Sequence, residues 1–361
     1  MKYCNLLPFV FLFFLSSQAA VGQSTIKGTV TVAESGEPLS GVNVYLSGTT
    51  FGSSTDETGH FTLNIPEPGS YKIVFSMVGF NKKAKQVNIS SSSSQTINVS
   101  LKENVQELSE IEVRASNKKW KDQYKYFAKQ FIGRTEWAEQ VTVKNPWVLD
   151  FEEHNDILTA RAKRPLKITN MALGYELYVD LVDFQWPTYR NRGGGYQMFI
   201  RFEEITPKSA QQELKWKKNR ARSYLGSFNY FLEMLYNDNL DESDFSVQHK
   251  TDISPLSNGE TKYELLGQSN ISQNRREALK GFKIKRKVNI KYDGQANFTF
   301  NRQNFSLSIY KQSSIDANTK NHTFFVDPFG NLLNPISLIT YGDWADSRVA
   351  NRVPSNYEVG N

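Results

Sequence analysis

Gly41-Val42-Asn43-Val44-Tyr45-Leu46, then Thr55-Asp56-Glu57-Thr58-Gly59, then His60-Phe61-Thr62-Leu63-Asn64-Ile65 spell strand, turn and strand at period two. Val42, Val44 and Leu46 fall on one face of the first run, as Phe61, Leu63 and Ile65 do on the second. Between them Asp56 is placed to bond backbone two residues on, and Gly59 tolerates a positive φ, so the junction reads as a tight hairpin turn. The same grammar extends both ways. Ile26, Val30 and Val32 start it, and Gly36-Glu37-Pro38-Leu39 makes the first turn. Pro66-Glu67-Pro68-Gly69 closes the strand after Phe61, and Tyr71, Ile73 and Phe75 run on into Met77-Val78-Gly79-Phe80. Val87 and Ile89 lead to five serines at 90–94, read as a solvated hairpin tip or a modified or ligand-contacting loop, before Ile97, Val99 and Leu101. Seven strands within residues 24–102 predict a compact Greek-key β-sandwich.

The composition of the whole chain is that of ordinary globular protein: 361 residues, 39% hydrophobic, 13% aromatic and 22% charged, enough for two domains. One Cys leaves no disulfide framework, Cys-based zinc site or iron–sulfur cluster, and four scattered His supply little for a metal centre. No metal and no cofactor are expected. The balance of 43 basic to 37 acidic side chains is mild and reads as a mixed solvated surface, without nucleic acid as partner. The densest basic stretch, Lys280 to Lys287, alternates charge with Phe282 and Ile284 and is read as the polar face of a strand.

Residues 1–22 carry the pattern of a secretory signal peptide: Lys2, an apolar run over 6–15, then small residues at Ala19, Ala20 and Gly22, with cleavage expected after Gly22. The run covers about half of a ~30 Å hydrocarbon core, too little for a spanning helix. Cys4 precedes the run instead of ending it, so a lipid anchor through Cys is not expected. No later stretch reaches the length of a membrane span, and the mature chain is expected to be exported, periplasmic or outer-membrane associated, without a transmembrane helix.

Gly28-Thr29-Val30, Gly36 to Leu46, Gly48-Thr49, Thr55 to Phe61 and Tyr71 to Phe80 together resemble the carboxypeptidase regulatory-like domain, a transthyretin-like and carbohydrate-binding-like sandwich. The likeness is to the version at the N-terminus of Bacteroidota outer-membrane proteins, including TonB-dependent glycan transporters. There a Leu-x-Glu-Val-x-Val pattern follows the domain, and Leu108-Ser109-Glu110-Ile111-Glu112-Val113 occupies the matching place. The resemblance implies an outer-membrane protein or glycan as partner. It does not imply peptidase activity, because none of His60, His154, His249 or His322 is followed by Glu three residues on. Nor does 361 residues supply a transporter barrel.

Residues 103–118 read as a linker and 119–361 as an α+β domain on an antiparallel sheet. A helix is predicted over 117–135, with Trp120, Tyr124, Phe127 and Phe131 on one face as core. A second is predicted over 217–236 with Tyr224, Phe228, Phe231, Leu232 and Leu235 inward. Strands are predicted at 147–152, 157–162, 175–184 (Tyr175, Leu177, Val179 and Leu181 inward), 196–203, around Phe245, and at 288–292, 305–310 and 323–326. This half also resembles exported Bacteroidota proteins of uncharacterised role, through Asn145-Pro146, Leu173 to Leu177, Lys218-Asn219-Arg220, Tyr224 to Ser227 and Trp344 to Pro354, and no activity comes with that likeness.

Catalytic signatures are missing from the sequence: there is no Gly-x-Ser-x-Gly, no His-Glu-x-x-His, and Gly193-Gly194-Gly195 lacks the Lys of a phosphate loop. Glu152-Glu153 and Glu203-Glu204 point to opposite faces of a strand and are read as strand-end solvation. Asp238, Asp241, Glu242 and Asp244 lack EF-hand spacing. The candidate binding residues are aromatic: Trp186, Tyr189 and Tyr196 around the glycine loop, with Trp216 as a fainter member. The expected function is a non-enzymatic exported envelope protein, the sandwich docking and the larger domain binding a protein or glycan. The alternative is an envelope hydrolase using Asp/Glu from separate strands.

Overall fold

The computed structural model describes residues 24–65, 69–89, 93–104, 117–189, 194–261, 279–328, 330–334 and 337–359. The signal segment, the Leu108–Val113 pattern, the Pro66–Pro68 turn, serines 90–92 and residues 190–193 of the glycine loop lie outside them. No helix among the described residues is long and apolar enough to cross a membrane.

The N-terminal unit is a β-sandwich of two sheets. One holds β1 (Ser24–Val32), β4 (His60–Ile65), β7 (Ser94–Thr96) and β8 (Val99–Leu101), and the other holds β2 (Asn43–Leu46), β3 (Gly52–Ser54), β5 (Gly69–Ser76) and β6 (Lys83–Ile89). Their facing sides enclose Ile26, Val44, Leu46, Phe61, Ile65, Ile73 and Phe75, nearly all without exposure. The Asp56 turn forms, the Thr58 and His60 N–H groups both donating to Asp56 Oδ1 at 2.9 Å, but it is not the hairpin turn expected: it carries the chain from β3 in one sheet to β4 in the other. The single last strand predicted there is two, both parallel to β1, because Asn98 Oδ1 replaces a backbone carbonyl and accepts from the Thr29 N–H at 3.0 Å.

One departure from alternation matters. In β2 not only Val44 and Leu46 but also Tyr45 is buried, and in β5 Val74 and Ser76 are buried beside Ile73 and Phe75. Both faces of this sheet are therefore covered, one by the sandwich core and one by the rest of the chain.

Beyond it, α1 (Lys118–Ile132) is capped by Asn117, whose side chain accepts from the Lys119 N–H, and packs over a six-stranded antiparallel sheet. That sheet comprises β9 (Val141–Val143), β10 (Leu149–His154), β11 (Ile157–Ala162), β12 (Leu166–Asn170), β13 (Tyr175–Pro187) and β14 (Gly195–Glu204). The predicted aromatic stripe meets the sheet: Phe127 lies 4.8 Å from Phe184 and 5.6 Å from Phe151, and Phe131 lies 5.0 Å from Tyr196.

The helix predicted over 217–236 is two helices, α2 (Ala210–Tyr224) and α3 (Phe228–Tyr236). Gly226 between them has φ of 67°, a Cβ there would sit 2.7 Å from the Tyr292 ring, and Ser227 caps α3 by accepting from the Tyr230 N–H. Two further antiparallel sheets follow: β15 (Phe245–Val247), β18 (Val288–Phe300), β19 (Gln303–Ala317) and β21 (Leu338–Gly342), and β16 (Ile253–Pro255), β17 (Lys280–Ile284) and β20 (Thr323–Val326). They share a core of Phe231, Phe245, Ile284, Ile290, Tyr292, Ile315, Phe324 and Trp344, separate from that around Phe127 and Leu177. The strands predicted at 288–292 and 305–310 are longer, because Asn301 and Arg302, both at positive φ, join them in a two-residue hairpin turn.

Candidate functional site

The aromatic stretch around the glycine loop is the β13–β14 hairpin. β13 enters with Tyr175, Leu177, Val179 and Leu181 inward, and a register shift between Leu181 and Asp183 leaves Val182 42% exposed. Past this bulge the inward set moves to even numbers, Phe184 and Trp186. Trp186 is thereby drawn into the core, 8% exposed, 5.9 Å from Phe184 and with the Arg348 guanidinium 4.3 Å from its ring centroid. The bulge therefore places Trp186, a candidate binding residue, inside the core. Tyr196 is half-buried against Phe131, and Trp216 on α2 is buried, its Nε1–H donating to the Met171 carbonyl at 2.7 Å. Trp216 forms no surface with the other three. Tyr189, at 63% exposure on the hairpin, is the ring of the group that faces solvent. Tyr126 on α1 supports the hairpin from below, donating to the Pro187 carbonyl at 2.6 Å.

Farther along the same two strands, away from the hairpin, is the seat of the sandwich. Asp180 on β13, 3% exposed, accepts from Tyr45 Oη at 2.6 Å and Ser76 Oγ at 3.1 Å and pairs with Lys82 Nζ at 3.1 Å. Burial, then the neighbouring Asp180 carboxylate, pushes the Tyr45 phenol well above its ordinary value, so it stays a donor. Beside it the Gly48 N–H donates to the Ile200 carbonyl at 2.7 Å and the Phe202 N–H to the Thr49 carbonyl at 3.0 Å, an added rung on β14.

The C-terminal segment ties the pieces together. Arg348 donates to the Ala345 carbonyl and to both the carbonyl and side chain of Gln130, Asn170 donates to the Ala350 carbonyl at 3.0 Å, and Thr135 donates to Asn351 Oδ1 at 2.7 Å. Farther on, the Thr50 N–H donates to Asn356 Oδ1 at 3.2 Å and the Ser355 N–H to the Gly48 carbonyl at 2.7 Å. The stretch from Trp344 to Pro354 is thus a strap between elements distant in sequence.

Several members of the acidic and basic clusters are held by separate partners. Glu204 pairs with Arg220, Glu203 with Arg201, and Glu153 accepts from Thr188 Oγ1. Asp241 pairs with Lys250, Asp244 accepts from Tyr292 Oη, and among the described residues no three potential ligands converge on a metal position. Lys280 bonds the Tyr236 carbonyl, Arg286 pairs with Asp252, and Lys287 lies over the Tyr341 ring. An open cavity of about 620 Å³ is lined by Leu256, Glu260, Lys283, Lys320, His322 and Thr323. Among the described residues its lining holds one carboxyl, Glu260, which accepts from the Ser257 N–H at 2.8 Å and is held below the usual carboxylate range by that bond. The parts played by Asp180, Arg348 and Asn356 are not legible in the sequence, because each reaches partners 98 or more positions away.

Residues 26–113 match the family described as the CarboxypepD_reg-like domain. TonB-dependent receptor P3 of Formosa agariphila is 31% identical over 86 residues, which cover 23% of this chain and 8% of that receptor, so this chain spans under a tenth of that relative's length. Among solved structures, a putative carbohydrate binding protein from Bacteroides uniformis aligns over 50% of this chain and 99% of its own at 10% identity and a TM-score of 0.18. A putative membrane-associated protein of unknown function from Bacteroides fragilis aligns over 87% and 99% at 11% identity and 0.19. Scores of this size carry no argument about the present chain.

Proposed function

With residues 26–113 a CarboxypepD_reg-like domain, we propose that the protein is an exported, non-enzymatic component of the cell envelope. In this reading 1–22 is a signal peptide, 24–102 a docking sandwich, 103–118 a linker and 119–361 the unit that binds a protein or glycan partner at the outer membrane. The observation that carries it is the family match, together with the similarity of the same segment to a TonB-dependent receptor. The seating on Asp180 supports a sandwich held in one orientation, with the outer side of β4–β1–β7, including Lys27, Thr62 and Asn64, turned to solvent. The exposed Tyr189 supports a partner contact at the β13–β14 hairpin, with Trp186 and Tyr196 bracing it from inside.

The test is crosslinking in the source bacterium followed by fractionation. The expected result is recovery with the outer membrane, joined to a protein or glycan, and reduced capture by Tyr189→Ala with an unchanged melting temperature. A cytoplasmic protein, or a free periplasmic monomer, would overturn the reading; unchanged capture by the variant would remove Tyr189 alone.

A further inference from the structure

We infer that the outward face of the β18–β19 hairpin binds an uncharged polysaccharide strand, an inference that rests on the partner-binding reading above and names its ligand class. β18 alternates from Val288 to Thr299, with Val288, Ile290, Tyr292, Gly294, Ala296 and Phe298 buried and the odd-numbered residues from Asn289 to Thr299 facing solvent. On the paired strand Ile309 is buried and Ser306, Ser308 and Tyr310 are exposed. The register sets Thr299 opposite Asn304, Asn297 opposite Ser306, Gln295 opposite Ser308 and Asp293 opposite Tyr310.

Three successive cross-strand rows therefore present only amides and hydroxyls, over about 14 Å along the strands. Each amide offers both donors and an acceptor, and each hydroxyl either, which is the pairing that a chain of sugar hydroxyls requires. Tyr310, 60% exposed, closes the row as a flat ring for the C–H face of a sugar. The array is pre-set: Thr299 Oγ1 lies 2.8 Å from Asn304 Oδ1, Ser306 Oγ 3.4 Å from Gln295 Oε1, and Tyr310 Oη 3.4 Å from Gln312 Oε1. From the inner side α2 braces the ribbon, Lys218 lying 4.6 Å from the centroid of the Phe305 ring.

The charge pattern selects the occupant. A polyanion needs a line of cations, whereas the three rows contain none, and at the Tyr310 end Lys291 is followed by Asp293, of opposite sign. A protein partner needs a desolvated apolar centre, and Tyr310 is the one large ring among these rows and the Asp293 row.

Affinity electrophoresis of the full chain tests this, with gels carrying mixed-linkage β-glucan, glucomannan or xylan as neutral probes and alginate as the acidic one. Retardation by a neutral probe is expected to weaken about tenfold in Tyr310→Ala and in Asn297→Asp, as loss of one good contact would give, and to persist in Tyr310→Phe. Circular dichroism and melting of each variant confirm folding. Retardation that ignores the ladder variants, that occurs with alginate alone, or that occurs with no probe overturns the inference. Recovery of an outer-membrane partner by crosslinking in any of those cases leaves the envelope reading standing, while neutral retardation through the ladder in a chain that stays cytoplasmic sinks the envelope reading alone.

Discussion

Asp180 is one carboxylate among 37 acidic residues, and nothing about its neighbours in sequence distinguishes it. Its burial is made by the sandwich, which brings Tyr45, Ser76 and Lys82 to it from residues 98 to 135 positions earlier in the chain. Replacing it with Ala leaves the Tyr45 hydroxyl and the Lys82 ammonium without their acceptor, at a cost of about 3 kcal/mol. Tyr45→Phe removes a single hydrogen bond, about 1 kcal/mol. Urea unfolding of both single variants and the double variant measures this, and the Tyr45 loss should shrink sharply once Asp180 is gone; strictly additive losses would refute the coupling. Trp186, turned inward by the bulge after Leu181, is covered by a neighbour, Arg348, that is again remote in sequence.

At the level of elements, local signals specify an element where they are complete and conceal its end where one residue interrupts a pattern. The Asn117 cap and the Trp120–Phe131 stripe are local, and α1 formed within a few residues of its predicted bounds. The run through Tyr224, Phe231 and Leu235 keeps helical spacing across Gly226-Ser227, and spacing alone concealed the stop and restart there. Ser227→Ala is expected to cost about 1 kcal/mol by uncapping α3. Gly226→Ala costs more, about 2 kcal/mol or above, since it adds a left-handed penalty to a clash with Tyr292. Thermal melting checks the order of the two; equal losses would mean that the break does not depend on Gly226. The bulge at Val182 is the strand counterpart, one residue that transfers Phe184 and Trp186 to the buried face.

Across the whole molecule, burial of phenols and of one ammonium predicts a characteristic response to alkali. Burial raises Tyr175, Tyr224 and Tyr292 far above the ordinary 10.0, and Tyr357 to about 12. The unfolded chain then loses these protons before the folded one, so their contribution is complete below pH 10 and is lost as pH rises from there through about 12. Lys311, whose ammonium donates to the Leu225 carbonyl, is lowered by burial to about 8 from an ordinary 10.5, so the cost of burying it is relieved over that interval. Urea midpoints should therefore hold or rise from pH 8 to 10 and fall steeply above it, with part of the tyrosinate absorbance appearing only on unfolding; complete tyrosine ionisation well before unfolding would contradict the burial. By itself the sequence determined the sandwich, its Asp56 turn, α1 and the predominance of antiparallel strands, because period, caps and turns are set by residues within a few positions of one another. Only the tertiary structure decided that a sheet of the sandwich is covered on both faces, that Trp186 is inside and Tyr189 outside, and that the Trp344–Pro354 stretch is a strap. Those outcomes depend on which surfaces meet, and a surface is assembled from segments whose proximity no local pattern encodes.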